Sequence, residues 1–269
     1  VQRRGRFMGL TTFIGTGMGA IGAGLSAWLL ATFPFPLNFA YTFLIAATGV
    51  TLSWVFLALT REPAQPPRGE RQSRRQFWEK LRRILARDHN FRRFLVARIL
   101  LALGAMGQGF ITVAAVRRWD VPDSVVGGFT AALLLGQTTG TLVFGMLADR
   151  FGHKLSLELS GMATLALFAL AWLAPSPAWY YAVFFLLGLY LGAIVVSGIL
   201  VIMEFSAPER RPTYVGLANT GVGVAGVLAP LLAAGIAGIS YDLLFAMSAA
   251  LSLCSLILMR WWVREPRYL

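Results

Sequence analysis

The sequence predicts an all-α, polytopic membrane protein built from long apolar helices. Three observations carry that expectation. Of 269 residues 57% are hydrophobic and only 13% charged, about half the charged share of a soluble domain. The apolar residues fall in unbroken runs of roughly 19 to 27, enough for a helix to cross a hydrocarbon core about 30 Å thick. The charges collect between the runs. Strands do not fit, because barrel strands alternate apolar with polar residues and these runs do not.

Eight spans follow in order, at 7–33, 37–59, 92–116, 125–148, 155–173, 178–204, 213–237 and 241–262. The first starts after Arg3, Arg4 and Arg6 and stops at Pro34 and Pro36. The second closes on Arg61-Glu62-Pro63. The third opens after Arg92-Arg93 and ends at Arg117-Arg118. The fourth and fifth flank the charged turn at 149–154. The sixth runs from Pro177 to Glu204, the seventh starts after Arg210-Arg211-Pro212, and the eighth ends at Arg264-Glu265-Pro266. Apart from Arg98, Arg117 and Arg118, every basic residue lies on one side of this threading. The positive-inside rule puts that side, with both ends of the chain, in the cytoplasm, and a plasma (inner) membrane is expected. Only Lys80 and Lys154 are lysines, an arginine bias that fits a GC-rich bacterial source.

The net charge of +12 and pI near 11.0 would suggest nucleic acid in a soluble protein. Here the charge sits in loops between spans, so anionic lipid headgroups are the expected partner and nucleic acid is not. Cys254 stands alone inside an apolar run, which excludes an intrachain disulfide. His89 and His153 are far apart in sequence. No paired carboxylates, metal-ligand spacing or phosphate loop is present, so neither an enzyme, a cofactor nor a metal is expected.

The segment between the second and third spans opens with Pro63, Pro66 and Pro67, which exclude a helix. From Ser73 to Arg87 the pattern becomes helical, with Phe77, Leu81, Ile84 and Leu85 on one face and Trp78 at its edge. That is an interfacial, amphipathic pattern: either a linker whose arginines meet anionic lipid, or a partner-docking helix. The segment also separates two repeats. Arg3-Arg4 followed by Gly9-Leu10 opens the first span, as Arg210-Arg211 followed by Gly216-Leu217 opens the seventh. Arg61-Glu62-Pro63 closes the second, as Arg264-Glu265-Pro266 closes the eighth. Repeats threaded in the same direction mark one class of transporter fold. The second repeat holds six spans and the first only two, so four spans are expected before Val1. The implied organisation is 1–60 as the last two spans of a first half, 61–91 as a basic linker and 92–269 as a six-span second half.

The turn Gly145-Met-Leu-Ala-Asp149-Arg150-Phe-Gly152-His153-Lys154 resembles the loop signature of the major facilitator superfamily, with His153 where that family usually has Arg or Lys. The resemblance implies twelve spans in two six-helix bundles, eight of them in this chain, working as a secondary transporter by alternating access. A monomer is expected for the complete protein. It also implies that the turn is a conformational latch made of Gly145, Asp149, Arg150, Gly152, Lys154 and Glu204. Arg150 is expected to pair with Glu204, and Asp149 to face the start of the first span near Arg4 and Arg6. A purely topogenic loop is the alternative. Lys154 and Glu158, one helical turn apart, are expected to pair.

By the same resemblance the third and sixth spans line the path. They offer Arg98, Gln108 and Thr112, and Tyr190 and Ser197; neighbouring spans add Gln137, Thr138 and Asn219. Gln108 and Thr112, four apart, share one face of a continuous helix. Arg98 either binds an anionic substrate or snorkels to the surface. The run Gly15, Gly17, Gly19, Gly22, Gly24 falls where antiporters of the family carry a glycine motif with a central proline; Ala20 stands at that proline here, and close helix packing through small residues accounts for the glycines. Few, uncharged polar groups lean toward efflux of amphipathic or hydrophobic compounds. Import of a neutral solute such as a sugar and a non-transporting scaffold are the alternatives. A small-molecule substrate is expected, and a coupling proton is a candidate whose acceptor would lie in the spans before Val1.

Overall fold

The computed structural model describes residues 4–61 and 73–268. Every regular element among them is helical. The elements are α1 (Arg4–Thr32), α2 (Leu37–Ala58), α3 (Arg74–Arg87), α4 (His89–Gly104), a 3₁₀ segment (Ala105–Phe110), α5 (Ile111–Trp119), α6 (Asp123–Phe151), α7 (His153–Leu173), α8 (Trp179–Ser197), α9 (Leu200–Glu204), α10 (Arg211–Ala237), α11 (Tyr241–Trp261) and a short 3₁₀ turn at Pro266–Tyr268. Seven stretches among the described residues are long and apolar enough to cross a membrane: α2, the run from α4 through α5, α6 from Val125, α7, the run from α8 through α9, α10 and α11. Each corresponds to an expected span. The expected first span is a continuous 29-residue helix, but it is not among those seven.

Contacts divide the chain into two units, 14–76 and a second formed by 1–13 with 77–269. The smaller holds the turn between α1 and α2. Phe33 sits edge-on between Trp28 and Tyr41, at 6.2 and 5.0 Å, in the favoured T-shaped geometry. The Asn38 Oδ1 accepts from the Phe39 amide at 2.8 Å. Thr48 and Thr51 return their hydroxyls to the carbonyls of Leu44 and Ala47, which hides polar groups that lipid cannot satisfy. Leu44, Val50, Trp54 and Phe56 are exposed, as residues facing acyl chains would be.

In the larger unit the tightest pairing is α6 on α8. Its cause is two glycine pairs, Gly136-x-x-x-Gly140 and Gly188-x-x-x-Gly192, which let the two backbones touch. A Cβ at Gly192 would lie 2.7 Å from the Thr141 amide nitrogen, and one at Gly140 2.9 Å from the Leu189 carbonyl oxygen. α4 approaches α11 through small residues in the same way: Ser255 donates to the Ala97 carbonyl at 2.7 Å, and Gly104 lies against Ser252. Two apolar clusters fill the unit. One stacks Phe129 on Phe184 at 5.1 Å and buries Tyr180, Phe168 and Phe245. The other gathers Phe91, Phe94, Tyr214 and Met259 near the starts of α4 and α10. α10 continues through Pro230 as helix.

The expected third span is not one α-helix. Ala105–Phe110 is 3₁₀, a tightening that marks a hinge or local strain. It falls where Gly107 is pressed by Phe168 of α7 and Ser248 of α11. The face-sharing argument for Gln108 and Thr112 assumed 100° per residue, and the 3₁₀ stretch, at three residues per turn, does not keep that register. The sixth span is likewise interrupted at Gly198–Ile199, between α8 and α9.

α3 begins where sequence places it. Ser73 Oγ accepts from the Gln76 amide at 3.3 Å and Gln76 Oε1 accepts from the Ser73 amide at 2.8 Å, a reciprocal capping box. Asp88 then caps α4, accepting from the Phe91 amide at 2.9 Å.

Candidate functional site

The turn joining α6 to α7 gathers a charged cluster. Gly152 reverses the chain with φ +95°, a conformation that favours glycine. A Cβ there would strike the Glu265 carboxylate at 2.6 Å, so Gly152 serves both the turn and the seating of the segment after α11. Gly145 is buried one turn before Asp149. Lys154 and Glu158 pair at 3.0 Å, as their spacing predicts, and Arg260 Nη1 lies 3.6 Å from the second Glu158 oxygen. Lys154 and Glu158 are nearly buried: losing Glu158 would strand the Lys154 charge, and losing Lys154 would leave Glu158 with only the longer contact to exposed Arg260.

The expected Arg150–Glu204 pair is different in the structure. Arg150 does not meet Glu204: it is exposed, with its guanidinium 5.1 Å from the ring of Phe151. Glu204 instead accepts from the His153 amide and faces Arg267 and Glu265. Arg267 Nη1 donates to the Asp149 carbonyl at 3.1 Å, so a guanidinium from the segment after α11 reaches the turn. The side chains of Arg4 and Arg6 lie outside the described residues. Ser197, expected on the path, bonds to His153 Nδ1 at 3.1 Å and so belongs to this cluster. A cavity of about 400 Å³ opens here, lined by Asp149, His153, Met203, Glu204, Arg211 and Arg267. Burial pushes the Glu265 carboxyl above its ordinary range, against the downward pull of Lys154. Arg267 and Glu265 were overlooked as members of this cluster. The repeated Arg-Glu-Pro that ends both repeats was the signal for them.

The path residues scatter. Gln108 and Asn219 are exposed, and Thr112, Gln137 and Thr138 are half-buried. The Gln137 backbone belongs to the α6–α8 seam, its amide nitrogen 2.5 Å from where a Cβ on Gly188 would stand. Thr138 offers its carbonyl to Thr141 at 2.9 Å. Arg98 and Tyr190 do come together. Arg98 is only 6% exposed and faces Tyr190. Its Nη2 comes within 3.1 Å of where a Cβ on Gly198 would be. Snorkelling predicted an exposed residue, and Arg98 as a whole is buried, although none of its nitrogens is both sealed off and unpartnered. Among the described residues Arg98 forms neither an ion pair nor a hydrogen bond. On the opposite side of the bundle Arg118 pairs with Asp242 and donates to the Ala171 carbonyl at 3.2 Å, joining α5, α11 and α7.

The sequence is similar to several curated transporters. It is 32% identical over 173 residues to the 3-(3-hydroxy-phenyl)propionate transporter of Escherichia coli, covering 62% of this chain and 42% of that protein. It is 35% identical over 121 residues to the 4-hydroxybenzoate transporter PcaK of Pseudomonas aeruginosa, 44% of this chain and 26% of that protein. It is 25% identical over 126 residues to the gentisate transporter of Corynebacterium glutamicum, 46% and 28%. The chain thus spans less than half the length of these relatives. The family model for the Major Facilitator Superfamily matches residues 99–268, from inside α4 to the last turn. Helical bundle, glycine-bearing turn and family match agree, and the chain belongs to the major facilitator superfamily.

Proposed function

We propose that this protein carries an aromatic carboxylate across a membrane by alternating access, with Arg98 as the group that meets the carboxylate. The observation that carries the reading is Arg98, 6% exposed as a residue, its side chain without an ion-pair or hydrogen-bond partner among the described residues, its nitrogens not sealed off, and Tyr190 beside it. A charge inside a span is costly unless compensated, which makes it a functional site by default. An incoming carboxylate supplies the compensation, and the planar guanidinium suits it. Tyr190 offers a phenol against an aromatic ring. The relatives' aromatic-acid names favour the same class. Such acids are amphipathic, in keeping with the sequence reading, and anionic, which fits the first of its two alternatives for Arg98. The efflux lean rested on the scarcity of charged groups and loses that support once Arg98 is counted.

In this reading residues 92–269 form one six-span half, 61–91 a cytoplasmic linker and 1–60 two spans of the other half. The 149–154 turn, held by Arg267, latches the cytoplasmic side. The test is flux in proteoliposomes. Arg98→Gln should cut transport of 3-(3-hydroxyphenyl)propionate at least about tenfold, as expected for loss of one charge-assisted contact, with Arg98→Lys intermediate. Wild-type flux in Arg98→Gln would end the assignment. For the latch, Arg267→Gln, which removes the contact to the Asp149 carbonyl, should lower flux severalfold without loss of membrane insertion; unchanged flux would refute it.

A further inference from the structure

α3 and the first turns of α10 wall two adjoining hollows of opposite chemistry. The first, about 630 Å³, is lined by Lys80, Arg83 and Arg87 from α3 and by Arg210 and Tyr214 at the start of α10, with Asp88 and His89 between them. Its carboxylate, Asp88, is already engaged: it caps α4 and accepts the Tyr214 hydroxyl at 3.0 Å. Arg83 has a partner in Glu79 at 3.6 Å, but both side chains are well exposed, so that pair is weak. The cations are therefore in excess.

The second hollow, about 550 Å³, lies one to two turns toward the start of α3. It is lined by Phe77, Trp78, Leu81, Leu95, Leu217 and Gly216. Phe77 and Trp78 stay 46% and 64% exposed, a heavy apolar load for a helix whose opposite side is basic. From Trp78 to Arg83 the helix rises about 8 Å, comparable to the step from the acyl chains of a phospholipid to its phosphate. A soluble phosphate would use the first hollow and leave the second idle. An acidic phospholipid uses both.

We propose that α3 and the start of α10 form a binding site for one acidic phospholipid, its phosphate among Lys80, Arg83, Arg87 and Arg210 and an acyl chain in the groove beside Trp78 and Leu217. The site ties the amphipathic helix to the bilayer and to α10 at once. It is separate from Arg98, and the transport assignment does not depend on it.

Native mass spectrometry of the full chain, released from bilayers of equal phosphatidylglycerol and phosphatidylcholine, reads the site directly. The wild type should retain phosphatidylglycerol in preference. Combining Arg83→Gln, Arg87→Gln and Arg210→Gln should lower its retention about fivefold or more, while Arg82→Gln, which lines neither hollow, should not. Gly216→Phe fills the groove without a clash at Cβ, since nothing lies within 4 Å there; it should also lower retention with the cations intact. Equal retention of the two lipids would overturn the proposal. So would a triple variant that matches Arg82→Gln, or full displacement by soluble glycerol 1-phosphate, which would leave a phosphate pocket alone.

Discussion

In α6 and α8, Gly136, Gly140, Gly188 and Gly192 bring backbone against backbone, whereas in α1 a Cβ added at Gly15, Gly17, Gly19, Gly22 or Gly24 would meet nothing within 4 Å. Both regions contain glycines four apart, so spacing does not separate them. What separates them is a facing helix with its own small residues at the same depth. α8 offers that to α6, and each glycine there removes the atom that would hold the helices apart. Close packing is expected for α1 from its glycines alone. In α6 and α8 the matched glycines show what such packing requires. A small-residue stripe is half of a contact, and its meaning depends on the other half.

The largest effect that would test this contrast is at the seam. Gly188→Leu should cost about 3 kcal/mol or more, since no rotamer avoids the α6 backbone, and should be seen as loss of a monodisperse, folded species in detergent. A well-behaved variant with an unchanged melting temperature would show that the seam is not as tight as described. Gly152→Ala comes next, at about 1–3 kcal/mol: here the glycine is needed for its positive φ as well as for Glu265. Glu265→Ala should relieve only the second requirement, so combining the two changes should recover part of the loss; no recovery would assign the whole cost to the backbone. At the small end, Gly22→Ala should change stability by less than about 0.5 kcal/mol. A loss comparable to Gly188→Leu would mean that the α1 glycines pack in the folded protein after all, and the contrast would vanish.

The turn at 149–154 divides in the same way between local and distant causes. The reversal at Gly152 and the Lys154–Glu158 pair were legible because each is set by neighbours within one helical turn. Arg150 was assigned to Glu204 from the family resemblance and from Glu204's place at the cytoplasmic end of the sixth span. In the structure the Phe151 ring lies next to Arg150, while Arg267, which is 118 residues from Asp149, holds the turn. Ser197 looked like a path residue by depth, and only its approach to His153 across 44 residues moved it to the turn. No periodicity records such distances. The 3₁₀ stretch had a signal in Gly104, Gly107 and Gly109, and at Gly107 it packs closely on Phe168 of α7 and Ser248 of α11.

By itself the sequence determined the helices, the spans that correspond to them, the capped start of α3 and the tight turn between α6 and α7. Hydrophobic run length, capping chemistry and glycine's φ range act over a few residues, so they can be read along the chain. Only the tertiary structure decided which glycines touch, where the third span tightens, and that Arg98 is buried beside Tyr190 with no ion-pair partner among the described residues. Those outcomes depend on which surfaces meet when helices far apart in sequence pack together, and an arginine's partners are set by that meeting and not by its neighbours in the chain.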